Sequence, residues 1–270
     1  MRLLSAILLL TGASLIAAAP AKPEESDDLQ VPTIQEDGVE VRPQIIGGTP
    51  VPQGELPFAV YVSNSRGSCT GSIIKENVVV TAAHCVGSGM SITYGNVVAR
   101  SGTRVTVSRA IPHERYNPNQ LTNDIAVLIL SQPIRFGPNA QAIPIASSPP
   151  APGSRVWAAG WGVTSDPNGR PPAQLMKVDV VVGNDQVCRR QNPNWGGQSG
   201  SQICLAPTRG KGVCYGDSGG PLYTGSNGSY QLLGATSWGA PGYCADGQNI
   251  AYFTRVGYYS DWIRSKIGGL

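Results

Sequence analysis

The chain has 270 residues, of which 41% are hydrophobic and only 14% charged, with a formal net charge of +3 at pH 7. Its 34 glycines and 22 prolines argue against a helical fold and for short β-strands closed off by turns. The basic side chains are scattered, which gives no footprint for nucleic acid.

Residues 1–21 read as a secretory signal. Arg2 supplies the positive start, Leu3 to Ala18 is apolar with small residues, and Ala19-Pro20-Ala21 offers a small-residue cleavage site. Ser5, Thr11, Gly12 and Ser14 interrupt the run, which is short for a membrane span, and no later stretch comes near that length. The expectation is a secreted, extracellular protein with no membrane attachment once the signal is gone.

Residues 22–44 carry seven acids against Lys22 and Arg42 and have few apolar side chains, so the segment cannot bury enough surface to fold alone. It reads as a linker or, from its place before Ile45, as a propeptide, which is the expectation for 22–44. Loss of the first 44 residues removes three of 20 basic and seven of 17 acidic side chains, which raises the net charge to +7. That charge favours solubility.

From Ile45 onward the pattern is one of short β runs. Val78-Val79-Val80, the alternating Arg104-Val105-Thr106-Val107-Ser108 and the apolar Ala126 to Leu130 belong to a first set. Pro144 to Pro152 reads as a linker. Val156–Ala159, Met176–Val182, Gln231–Ser237 and Tyr252–Val256 form a second set, and Val256 to Ile267 is the one predicted helix. Six cysteines in an exported chain imply a disulfide framework, whose pairing composition alone does not choose. There is no C-x-x-C pair and no metal-like histidine spacing, so no metal or other cofactor is expected.

The chemistry gathers at Gly216-Asp217-Ser218-Gly219-Gly220-Pro221. Its glycines give Ser218 a backbone able to form a tight turn with N–H groups aimed at a ligand. A serine hydroxyl needs a base to take its proton. The only histidines, His84 and His113, both precede Ser218, so the α/β-hydrolase order, with histidine after serine, fails. The subtilisin order would need an acid before the histidine, and only Glu55 and Glu76 stand between Ile45 and His84. The order histidine, aspartate, serine remains. His113, in Pro112-His113-Glu114-Arg115-Tyr116-Asn117-Pro118, reads as part of an exposed loop without chemistry.

Thr81-Ala82-Ala83-His84-Cys85, Asn123-Asp124-Ile125-Ala126-Val127-Leu128 and the Ser218 hexapeptide resemble the three catalytic blocks of chymotrypsin-like serine proteases. Ile45-Ile46-Gly47-Gly48 resembles the family's mature N-terminus, and Gly160-Trp161-Gly162 and Ser237-Trp238-Gly239 are further landmarks in the same order. The resemblance implies an all-β fold of two six-stranded antiparallel β-barrels packed together with a C-terminal helix. The first barrel would cover about 45–147 and the second about 153–270 of a peptidase domain over 45–270. It implies the pairs Cys69–Cys85, Cys188–Cys204 and Cys214–Cys244. Ser218 would be the nucleophile, His84 the general base and Asp124 its orienting acid. The N–H groups of Gly216 and Ser218 would form the oxyanion hole. Ser237, Trp238 and Gly239 would pair with extended substrate. The amine of Ile45, freed by cleavage after Gln44, would pair with Asp217 inside the body. Gln44 departs from the basic residue usual before that cut.

Trypsins carry an aspartate six residues before the nucleophile; here that position is Gly212, followed by Val213. With Gly239 and Ala251 on the walls, the pocket holds no carboxylate. An unpaired cation buried there would be strongly penalised. Large apolar or aromatic side chains are expected before the scissile bond, with small aliphatic ones as the alternative. Asp246 is the nearby acid able to overturn this. Protein or peptide substrates and proteinaceous inhibitors are the expected partners of a monomer. The rival reading is a non-catalytic homologue acting as a binding module, which an intact catalytic set opposes. Asn227-Gly228-Ser229 is a glycosylation sequon, meaningful in a host that glycosylates.

Overall fold

The structure is a computed structural model describing residues 45–162, 173–239, 244, 247–248 and 250–268. The expected signal (1–21), the propeptide (22–44) and Asp246 lie outside the described residues.

After the two-residue strand β1 (Thr49–Pro50) come β2 (Ala59–Asn64), β3 (Gly67–Lys75), β4 (Val78–Thr81), β5 (Ser91–Tyr94), β6 (Thr103–Pro112) and β7 (Ala126–Leu130). The last six close into an antiparallel barrel in the order β2-β3-β4-β7-β6-β5. Val60, Val62, Ile73, Val79, Ile92 and Leu128 belong to one buried cluster within it. β4 is buried along its whole length, as its run of valines requires.

The second half supplies β8 (Arg155–Gly160), β9 (Met176–Val181), β10 (Gln202–Cys204), β11 (Pro221–Ser226), β12 (Ser229–Gly239) and β13 (Ala251–Arg255). These join β1 in a seven-stranded antiparallel sheet, order β1-β9-β8-β11-β12-β13-β10. On β9, Met176, Val178 and Val180 are buried while Lys177, Asp179 and Val181 are half-buried, the period-two pattern of a one-sided strand. The six strands from the second half are those expected of the second barrel, and β1 adds a seventh. Thr49 pairs with Lys177, so the segment ahead of the first barrel crosses into the second sheet. The β9 and β10 edges meet past the strand ends, through a Val182–Leu205 bridge and the bond from Ala206 N to Val181 O at 2.8 Å.

Three further features differ from the sequence reading. Part of the predicted linker is stitched to β12, with Leu232 N donating to Pro144 O (2.8 Å) and Ala146 N to Leu232 O (2.9 Å). A short helix, α1 (Asp185–Arg189), starts where the Asn184 side chain caps Val187 N at 2.9 Å. At the C-terminus, Val256–Tyr259 winds as a tighter 3₁₀ turn before the helix α2 (Ser260–Ile267) begins. Gly268, at φ 72°, ends that helix in the left-handed conformation.

The two sheets share a core. Phe58 and Tyr61 beside and on β2 pack with Trp161, Tyr223 and Tyr230, and Phe58 meets both tyrosines edge-on at 5.5 and 5.4 Å.

Candidate active site

β4 runs directly into a 3₁₀ turn, Ala83–Cys85, which carries His84. The turn is fastened to β3 by the Cys69–Cys85 disulfide. These two sulfurs and the His84 ring are the one cluster of metal-ligand type among the described residues, and the disulfide leaves it no thiolate.

Asp124 sits just before β7, fully buried, with three donors on its carboxylate. His84 N donates to Oδ1 at 3.0 Å, the His84 ring meets Oδ2 through Nδ1 at 2.8 Å, and Ser237 Oγ donates to Oδ2 at 2.6 Å. An ionised carboxylate only accepts, so Nδ1 carries the proton and Nε2 is left as the basic nitrogen. Thr254 Oγ1 donates to the Asp124 carbonyl at 2.7 Å. Ser237 and Thr254 come from β12 and β13, so the acid of the first barrel is held by the second sheet.

Ser218 stands in a turn whose backbone bonds are unevenly spent. Asp217 N donates to Cys214 O (3.1 Å), Gly219 N to Thr236 O (2.7 Å) and Gly220 N to Asp217 O (2.8 Å). The N–H groups of Gly216 and Ser218 have no such partner among the described residues. The Ser218 carbonyl is tied to the first barrel by Thr70 N at 2.9 Å. Gly216 has φ 95°, and a Cβ there would lie 2.9 Å from the Gly162 Cα. Only glycine meets both conditions without strain.

Asp217 is completely buried. Its carboxylate accepts from Gly162 N and Cys214 N, each at 2.8 Å. Burial pushes its pKa up to about 7, against the opposing pull of those two donors. A Cβ on Gly162 would come within 2.4–2.6 Å of the carboxylate atoms, so glycine at that position is what lets the chain wrap the acid. Ile45 is buried too, among Val156, Ala158 and Leu222. Gly212 N donates to Ile46 O at 3.1 Å, which links the expected mature N-terminus to the expected pocket base.

His84 and Ser218 line one cavity of about 430 Å³. Gly212, Val213, Ser237, Trp238, Gly239 and Ala251 line it as well, and it continues inward to Val180, Leu205 and Pro207. No Asp or Glu lines it among the described residues. Lys211 does, with its ammonium held on Asp179 Oδ1 at 2.6 Å. The Cys214–Cys244 disulfide borders the space, and Cys188 is joined to Cys204. Trp238 and Gly239 pair with β13 on one side, while β11 stops pairing at Ala235, so among the described residues their other edge is unpaired.

The structure therefore brings the catalytic, pocket and substrate-backbone residues singled out from the sequence to one cavity, while Asp217 accepts from Gly162 and Cys214, and not from Ile45, among the described residues. Several others had no sequence signal: the support of Asp124 by Ser237 and Thr254, and Tyr215, exposed at the cavity wall beside Gly216. His113 differs from the exposed position expected of it. It is buried, with its ring against Tyr259 and Trp262 at 5.3 and 4.8 Å.

Comparison with known proteins agrees with this geometry. Residues 45–263 match the family model described as Trypsin. The chain is 35% identical over 267 residues to Trypsin Blo t 3 of Blomia tropicalis, covering 94% of this chain and 95% of that one. It is 35% identical over 241 residues to Trypsin-1 of Astacus astacus, covering 82% and 99% respectively. Among solved structures it is similar to neuropsin, a serine protease expressed in the limbic system of mouse brain. That match has a TM-score of 0.73 and 26% identity, over 82% of this chain and 98% of the other.

Proposed function

The chain belongs to the trypsin family of serine endopeptidases, and from that premise we propose that it cuts peptide bonds through an acyl-enzyme on Ser218. The observation that carries this reading is the buried Asp124 carboxylate bonded to His84 Nδ1 at 2.8 Å, beside a cavity that Ser218 also lines. His84 Nε2 takes the Ser218 proton as the hydroxyl attacks the carbonyl carbon, and later returns it to the leaving amine. Asp124 fixes the ring's tautomer and stabilises its charged form. The uncommitted N–H groups of Gly216 and Ser218 receive the oxyanion. The unpaired edge of Ser237-Trp238-Gly239 receives the substrate backbone as an added strand.

The same reading extends to activation and export. A signal over residues 1–21 sends the chain out of the cell, and a cut after Gln44 releases the Ile45 amine to pair with Asp217. Gly212, tied to Ile46, then couples that cut to the pocket.

For the side chain before the scissile bond, the reading is large apolar or aromatic, with small aliphatic as its variant. Its support is the apolar wall of Gly212, Val213, Gly239 and Ala251, with Lys211 as the one Lys or Arg lining the cavity among the described residues. A second reading, cleavage after Lys or Arg, is favoured by the names of the relatives, which are called trypsins. It would need a carboxylate from outside the described residues, and Asp246 is the candidate.

The test is a matched peptide series differing only at that position, cut by the mature chain from Ile45, with Ser218→Ala as the blank. Cleavage after Phe, Tyr or Leu, abolished by the substitution, is the expected result. Cleavage after Arg or Lys would replace the pocket reading and keep the mechanism. No cleavage by a folded mature chain would move the protein to the binding-module class.

A further inference from the structure

We propose that Asn227 is the acceptor of an N-linked oligosaccharide, carried on a turn that the proteolytic site does not use. β11 and β12 are joined by a two-residue hairpin in which Ser226 pairs with Ser229. Asn227 and Gly228 occupy the turn at φ 52° and 84°. That is the left-handed pair of a type I′ hairpin, and it accounts for Asn followed by Gly.

The turn does not account for the hydroxyl at 229. A hairpin needs no particular side chain there, whereas the glycosylation sequon requires Ser or Thr two places after the asparagine. Among the described residues neither the Asn227 amide nor the Ser229 hydroxyl has a protein hydrogen-bond partner. Gly225 to Ser229 are all exposed, and a Cβ on Gly228 would meet nothing within 4 Å. A bulky, hydrated substituent therefore has room without displacing any packed group.

Position makes the site compatible with catalysis. β12 spans eleven residues from Ser229 to Gly239, and only its far end lines the cavity. At a strand's rise per residue, the glycan root lies up to about 30 Å along β12 from where the strand meets the cavity.

The step is a group transfer. The Asn227 amide nitrogen attacks the anomeric carbon of an oligosaccharide carried on a polyprenyl pyrophosphate. The new C–N bond replaces the sugar–phosphate C–O bond, the amide proton passes to a base of the transferring enzyme, and polyprenyl pyrophosphate leaves. Delivery to that enzyme rests on the export reading.

The experiment is secretion of the full chain from a eukaryotic host. A parallel chain, with residues 1–21 replaced by the host's own signal, makes the outcome independent of the leader. Peptide mapping of protein from the medium should find Asn227 carrying N-acetylglucosamine and hexose mass. Peptide N-glycosidase should remove it, leaving aspartate. Asn227→Gln and Ser229→Ala should each abolish the mass, and kcat/KM on a short peptide should change by less than about two-fold. Unmodified Asn227 in secreted protein, or a glycan persisting in Ser229→Ala, would overturn the site. A large change in kcat/KM on removing the glycan would overturn its remoteness from catalysis.

Discussion

Gly216 carries the most exacting demand of any single residue in the site. Its φ of 95° is one that L side chains rarely adopt, and the Gly162 backbone lies where a Cβ would go. Gly216→Ala is therefore expected to turn the peptide and remove one oxyanion donor. Loss of such a donor costs about 2.7–4 kcal/mol of transition-state stabilisation, so kcat should fall by about 10²–10³-fold. KM should move little, because the ground-state carbonyl depends less on that donor. Steady-state kinetics on one peptide decides this, and a loss confined to KM would contradict the assignment. Asp124→Asn tests the other half. With three donors converging on the acid, an amide would turn its NH₂ toward one of them and favour the wrong histidine tautomer. A fall in kcat of about 10⁴-fold with the fold intact is expected. Near-normal turnover would remove Asp124 from the mechanism.

The C-terminal helix shows what a single element contributes beyond its own residues. Trp262 Nε1 donates to Glu114 Oε2 at 2.8 Å, and Lys266 forms an ion pair with Glu114, so α2 is latched to the loop between β6 and β7. Beneath the latch, burial lowers the pKa of His113 from its ordinary 6.5; Arg115 and Lys266 add to that, while Glu114 opposes it. The folded state then binds fewer protons than the unfolded chain, so this contribution to stability is present at neutral pH and lost as pH falls below about 6.5. His113→Phe should weaken the fall in Tm between pH 7 and pH 5. An unchanged slope would show that the imidazole is not the sensor. None of this was legible in the sequence, where His113 lies among loop-forming residues. Its burial comes from Tyr259 and Trp262, more than a hundred residues later. The second sheet shows the same limit, because a two-residue strand such as Thr49–Pro50 has no periodicity to read. The catalytic blocks were legible because each is local: strand run, small residues and reactive group lie within six positions. Ser237 was legible only as a substrate-binding landmark, and its bond to Asp124 appears once β12 is laid beside the first barrel.

At the scale of the whole molecule, the question is how a cut at one end of the folded region could reach the site. Asp217 is buried with two backbone donors and no cation among its partners in the described residues. Its carboxyl pKa is raised from 3.8 to about 7 by burial. In the uncut chain the folded state therefore holds a proton that the unfolded chain releases. That stability is fully present below pH 3.8 and lost as pH rises through about 7. Cleavage before Ile45 would supply a cation. Pairing would lower the Asp217 pKa and raise that of the amine. The amine's contribution would then be present below its unfolded value of about 7.7–8.0, and be lost only as pH rises through the folded one. The two forms should consequently diverge. Measured on Ser218→Ala protein to prevent self-digestion, the Tm of the mature form minus that of the uncut form should grow from pH 4 to pH 7 and shrink again at alkaline pH. His113 and Glu114 are common to both forms, so their contributions largely cancel in the difference. Asp217→Asn should flatten it. A Tm difference independent of pH would mean that Asp217 is not the partner of the new amine, and that the cut reaches the pocket through the Ile46–Gly212 bond alone.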